Sequence, residues 1–100
     1  MICTLTARRL KPGSYEAFRA AWDVGAAAGT PAGWTNIYHA RDIDDPDVVL
    51  SFGLFDGDVA ALRAAQAAMG RNAQLDRISS QVDTVLLDGS FEVVEHLTAD

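Results

Sequence analysis

A nine-residue stretch of this chain occurs twice. Gly13-Ser14-Tyr15-Glu16-Ala17-Phe18-Arg19-Ala20-Ala21 returns 44 positions later as Gly57-Asp58-Val59-Ala60-Ala61-Leu62-Arg63-Ala64-Ala65, with five of nine positions identical. Three of those identities are alanine, so the placement carries more weight than the letters. Each copy follows a strand-like run and opens a helix-like one, with an N-capping residue at the same point, Ser14 or Asp58. Phe18 and Leu62 occupy the same core position. The order β-α-β followed by β-α-β predicts an α+β, ferredoxin-like fold: a four-stranded antiparallel sheet with two helices on one face. At 100 residues and 10.7 kDa the chain reads as a single domain, 1–100.

The elements follow from period and punctuation. Ile2 to Leu10 is rich in β-branched residues and lacks a 3.6-residue period, so it reads as a strand, broken by Lys11-Pro12-Gly13. Tyr15, Phe18 and Trp22 recur on one helical face. That helix is predicted to run through Ala26-Ala27-Ala28 and to stop at Gly29 and Pro31. Strands are predicted over Trp34 to Arg41 and Val48 to Phe55, joined by the turn Asp42 to Asp47. In the second helix Val59, Leu62 and Met69 form a stripe with Ala65 beside it. Gly70 interrupts it, and Leu75 and Ile78 resume an apolar face. A last extended region runs from Val82 to Leu97, divided by Asp88-Gly89 as a bulge or a tight turn.

The strands are apolar on both faces. Val48, Leu50, Phe52 and Leu54 point one way; Val49, Ser51, Gly53 and Phe55 point the other, and neither set suits open water. Two helices cover one face, so the other predicts a partner, most simply a second copy in a two-fold homodimer. The formal net charge of −6 argues against nucleic acid and anionic lipid as partners. No run of 18 apolar residues predicts a membrane span, and the charge order of the N-terminus does not fit a secretory signal. The single cysteine, Cys3, excludes an intrachain disulfide and reads as a packed thiol. The expected location is cytoplasmic.

With Leu10-Lys11-Pro12-Gly13 after the first strand, Phe18 and Trp22 in the first helix, Pro31-Ala32-Gly33-Trp34 opening the second strand, and Arg41-Asp42-Ile43-Asp44-Asp45-Pro46 before Val48-Val49-Leu50, the chain resembles the dimeric α/β-barrel superfamily, in its antibiotic-biosynthesis-monooxygenase-like branch. The resemblance implies a homodimer with a pocket for a small hydrophobic or aromatic molecule between each sheet and its helices. It implies chemistry without a cofactor, since members include cofactor-free monooxygenases acting on electron-rich phenols and quinols, alongside haem-degrading enzymes, isomerases and proteins of no known activity. Two departures stand out. Ser51-Phe52-Gly53-Leu54-Phe55 takes the place of a Glu-x-Trp pattern common in the family, and the second helix lacks the Trp and His of the haem degraders.

The second strand holds the densest group of reactive side chains. Strict alternation puts Trp34, Asn36 and Tyr38 on one face and Thr35, Ile37, His39 and Arg41 on the other. Asn36 and Tyr38 could orient a phenol or carbonyl, with Trp22 and Trp34 as aromatic walls. His39 could act as a general base on the opposite face. Only one of these subsets can line a given pocket. His39 and Tyr38 are thus the catalytic candidates, and Trp22, Trp34 and Asn36 the substrate-binding ones. The competing reading gives these residues to interface hydrogen bonds and strand ends. His96 is the only other histidine, which predicts no metal site. Asp42, Asp44, Asp45 and Asp47 fail the spacing of a calcium loop and read as a solvated hairpin turn. Arg8, Arg9 and Lys11 read as a strand end with an optional anion contact. The function expected is a small-molecule-binding dimeric barrel protein, acting as a cofactor-independent monooxygenase on an electron-rich phenol or quinol. The alternative is a non-catalytic dimeric binding or assembly module.

Overall fold

The computed structural model describes residues 1–23, 33–68 and 70–99. The elements run β1 (Ile2–Leu10), α1 (Tyr15–Asp23), β2 (Trp34–Arg41), β3 (Val48–Phe55), α2 (Val59–Ala68), α3 (Arg71–Ile78), a 3-10 turn (Ser79–Gln81) and β4 (Val82–Glu92). The strands form one antiparallel sheet in the order β2-β3-β1-β4, as the ferredoxin-like reading predicts.

Central strand β1 pairs with β3 on one side and β4 on the other. The registers set residues in rows across the sheet. On the open side the rows are Phe91–Cys3–Leu54, Gly89–Leu5–Phe52–Tyr38 and Leu87–Ala7–Leu50–Ala40. On the helix side they are Ser90–Thr4–Gly53–Ile37 and Asp88–Thr6–Ser51–His39, with apolar residues at the ends of β1 and β3. Those ends anchor two buried clusters. Ile2, Trp34, Phe55 and Leu62 form one; Leu10, Phe18, Val49 and Ile78 form the other. Each fully buried aliphatic or phenyl side chain contributes about 1.5–3 kcal/mol, which places most of the packing energy at these two ends.

Local chemistry sets the element boundaries. Pro12 and Gly13 occupy the central positions of a turn closed by the Ser14 N–H on the Lys11 carbonyl (3.1 Å), and Gly13 takes a φ of 72°. Asp58 caps α2 by accepting from the Ala61 N–H at 2.8 Å. Gly70, at φ 71°, interrupts the helical run as the sequence predicts and stands at the N-terminal end of α3. Val59 is 61% exposed, so it stands outside the predicted stripe. The predicted extension of the first helix through Ala28, its stop at Gly29 and Pro31, and Met69 lie outside the described residues.

Two expectations about the last strand are corrected. Asp88-Gly89 is neither bulge nor turn: both residues sit in the ladder, opposite Thr6 and Leu5. Gly89 instead makes room for Phe91, whose Cζ would lie 2.7 Å from any added Cβ. The register shifts fall earlier, between the partners of Ala7 and Arg8 and again between those of Arg9 and Leu10. The strand ends at Glu92, short of the predicted Leu97.

The acidic hairpin 42–47 is held by its own carboxylates. Asp42 accepts from the Asp44 N–H (2.8 Å), Asp45 from the Asp47 N–H (3.1 Å), and Asp47 from the Gly13 N–H (3.2 Å). Arg9 reaches across from β1 to Asp45 at 2.7 Å. That hydrogen bond, then the Asp47 N–H, holds the Asp45 carboxyl below the usual carboxylate range, and both partners are partly exposed. A lowered carboxylate contributes stability above its unfolded pKa of about 3.9, and loses it as pH falls through the folded value. Asp45→Asn keeps the acceptor for Asp47 and removes the charge. Thermal melts should therefore show a small deficit for Asp45→Asn at neutral pH that vanishes in acid; a deficit that stays constant with pH would contradict this.

Candidate functional site

Between the two clusters the helix-side residues turn polar or small. Along β1 they read Ile2, Thr4, Thr6, Arg8, Leu10, and along β3 Val49, Ser51, Gly53, Phe55. The apolar ends pack and the short middle side chains do not fill the layer. A cavity of about 310 Å³ results, floored by Thr4, Thr6, Ser51 and Gly53, with Asp88 and Ser90 on the β4 side and Gln66, Gln74 and Leu75 from the helices.

One polar row crosses the sheet beneath the helices. The Thr6 hydroxyl donates to Asp88 Oδ1 at 3.1 Å, and two strands away His39 Nδ1 and Ser51 Oγ share a 2.8 Å hydrogen bond. Ser51 lines the cavity, so His39 reaches it through that hydroxyl. The imidazole is held edge-on by Trp22, with ring centroids 4.6 Å apart, and more distantly by Phe18 at 6.3 Å. Trp22 is fixed in turn by α3. Gln74 donates to the Trp22 carbonyl (3.5 Å) and Arg77 to that of Ala21 (3.2 Å).

Trp34 stands on this same side, against the prediction from strict alternation. Trp34 pairs with Phe55 while Asn36 pairs with the next residue, Leu54, so Thr35 is an extra residue on β2. This bulge turns Trp34 towards the helices along with Ile37 and His39. Its indole packs edge-on against Phe55 (4.9 Å) and donates to Thr4 Oγ1 at 3.2 Å. Trp22 and Trp34 both line the cavity. Asn36 and Tyr38 lie on the opposite, open face, where Tyr38 stacks on Phe52 at 4.9 Å. The structure thus gathers Trp22, Trp34 and His39 on the cavity side and separates Asn36 and Tyr38 from them.

Sequence reasoning also misplaced Arg8. It is 4% exposed and lines the cavity, its guanidinium 5.7 Å from the Phe18 ring centre. Its neighbour Arg9 turns to the other face and meets Asp45. The signal was present in the period-two sequence of β1, where Arg8 falls in phase with Ile2, Thr4, Thr6 and Leu10. Among the described residues no group of three or more His, Cys, Asp or Glu side chains is placed to hold a metal ion.

No family model and no curated protein matches the chain. Solved structures do. A proposed antibiotic biosynthesis monooxygenase from Deinococcus radiodurans aligns over 100% of this chain and 99% of its own, with a TM-score of 0.79 and 15% identity. One from Chloroflexus aurantiacus aligns over 95% of each chain, with a TM-score of 0.71 and 18% identity. A mutant of SnoaB, a cofactor-independent oxygenase from Streptomyces nogalater, covers 98% of this chain and 97% of its own, with a TM-score of 0.73 and 17% identity. The fold is that of the antibiotic biosynthesis monooxygenase-like structures. At these identities the likeness speaks for the fold alone.

Gly53 is the seat of Trp34. A Cβ there would lie 2.8 Å from Trp34 Cδ1 and 2.9 Å from the Asn36 carbonyl oxygen. Gly53→Ala should cost about 1–3 kcal/mol in urea unfolding and alter the near-ultraviolet tryptophan signal; an unchanged midpoint and spectrum would contradict this packing.

Proposed function

We propose that the chain is a cytoplasmic homodimer whose cavity binds a small aromatic molecule and, without a cofactor, oxygenates an electron-rich phenol or quinol. The main support is the hydrogen-bonded His39–Ser51 pair at the wall of a cavity that both tryptophans also line. In this reading Ser51 passes a substrate proton to His39, and the electron-rich ring carbon so produced bonds dioxygen. The resulting hydroperoxide loses water and leaves a carbonyl. One oxygen atom ends in product and one in water, and the substrate is the only reductant. That balance requires a carbon bearing two hydrogens in the keto form of the substrate. The hydroxyls of Thr4 and Thr6 supply hydrogen-bond partners to the developing oxyanion, and the tryptophans shield the ring from water.

A second reading, a non-catalytic binding module, draws on the enclosure of His39 by Trp22 and Phe18, which restricts the movement of the base.

The homodimer rests on the open face of the sheet. Tyr38, Leu50, Leu87 and Phe91 are 47%, 37%, 50% and 46% exposed there. Tyr38, stacked on Phe52, belongs to this face, and its role in this reading is assembly.

Oxygen uptake with a panel of quinols and anthrone-like phenols should exceed the buffer rate and fall by about 10²-fold or more in His39→Ala and Ser51→Ala. A rate equal to buffer, with ligand still bound, would favour the binding module. Sedimentation at micromolar concentration should show a dimer that Phe91→Asp converts to monomer; a stable wild-type monomer would remove the assembly.

A further inference from the structure

Among the described residues, the charged side chains of the cavity wall sum to the sign opposite to that of the chain. Across 100 residues the formal net charge is −6. Among the described residues the charged side chains lining the cavity are two arginines, Arg8 and Arg63, against one aspartate, Asp88. Arg63 is exposed and donates to Gln66 at 2.9 Å, one helical turn further along α2. Arg8 is different in kind. It projects from the central strand, is almost wholly buried, and its guanidinium carbon lies 5.7 Å from the centre of the Phe18 ring.

A guanidinium in a cavity wall brings a positive charge to the space it lines. The group offers five donors in a planar fork whose geometry matches a carboxylate. Placed in a cavity wall, it gives that cavity a fixed site for a planar anion. Asp88 accepts from Thr6 in the same wall, so the positive end of the cavity lies towards Leu10 and Phe18. The aromatic surfaces are Trp22, packed on the Phe18 cluster, and Trp34, part of the Phe55 cluster. A cavity of about 310 Å³ is at the small end for ligand sites and suits one or two rings.

We propose that the cavity selects a small aromatic acid, seating its carboxylate on Arg8 and its ring against Trp22 and Trp34. This rests on the cavity being a small-molecule site and adds the class of molecule it takes. It makes no demand on the oxygenation chemistry.

The test compares each acid with its uncharged amide of the same shape, benzoate with benzamide and cinnamate with cinnamamide. Calorimetry gives the affinity. The indole N–H signals in nitrogen–proton correlation spectra locate the binding, because both tryptophans of the chain line the cavity. Each acid should bind about tenfold or more tighter than its amide, the difference expected for a charge-assisted hydrogen bond over a neutral one. Both should shift the indole signals. In Arg8→Gln the preference for the acid should disappear while the amide still binds. Acid and amide binding equally to the wild-type protein, with the indole signals shifted, would overturn the carboxylate assignment and leave the small-molecule site intact. Indole signals unmoved by all four compounds would remove both. The wild-type comparison stands even if Arg8→Gln does not fold. If it does fold and keeps the acid preference, Arg8 is not the anchor and the proposal fails.

Discussion

The register of β1 decides both faces of this molecule. β1 is the only strand that pairs with β3 and β4 together, so its alternation is imposed on its neighbours through eight or nine paired positions on each side. Side chains on a strand alternate with a period of two, and a slip of one residue exchanges the faces. In the register observed, Ile2 and Leu10 meet the helices at the ends and Thr4, Thr6 and Arg8 meet them in the middle. A slipped register would put Cys3, Leu5 and Ala7 under the helices and turn an arginine and two threonines outward. The cavity, the two clusters and the open apolar face are therefore consequences of one pairing choice, which the burial of Ile2 and Leu10 enforces.

Much of this was legible in the sequence because it depends on local pattern. The duplicated helix starts, Asp58 as a cap, Gly70 as a break and the two-faced character of β3 are all nearest-neighbour or periodic signals, and they hold in the structure. What sequence reading missed depends on pairing across the sheet. The bulge at Thr35 exists because Trp34 needs the space above Gly53, a residue almost twenty positions away, and nothing in Trp34-Thr35-Asn36 announces it. One extra residue was enough to move Trp34 to the opposite face from Asn36 and Tyr38. Arg8 and Arg9 show the other limit. They are chemically identical neighbours and read naturally as one basic cluster. Alternation sends the first into the cavity wall and the second to a carboxylate of the 42–47 hairpin.

The polar row also bears on why the cavity exists. A domain of this size has little core to spare, and leaving space in its middle forgoes dispersion contacts. Valine at positions 4 and 6 would match threonine in shape and remove two hydroxyls that must be satisfied in a partly buried layer. Apolar replacement of buried polar groups is commonly neutral or stabilising. A chain that needed only to assemble through its open face would gain from such replacements. Instead the helix side keeps hydroxyls on two adjacent strands, an amide from α3 and a buried guanidinium around one space. The open side holds the reverse pattern, aromatic and aliphatic groups with few polar ones between them.

The two faces are mechanically linked, and that link constrains how the site can work. Ser51 and Phe52 are consecutive on β3; His39 and Tyr38 are consecutive on β2. The His39–Ser51 hydrogen bond on the helix side and the Tyr38–Phe52 stack on the open side therefore brace the same segment of the same strand pair from opposite faces. Cross-strand aromatic pairs contribute roughly 0.2–1 kcal/mol, and covering the stack with a second subunit would strengthen it by excluding water. Assembly at the open face would then hold His39 and Ser51 more rigidly at the cavity wall without touching either residue. Under the proposed function, a base that takes a substrate proton through Ser51 would gain from that restraint, and dimerisation and proton transfer would then be coupled through the backbone they share.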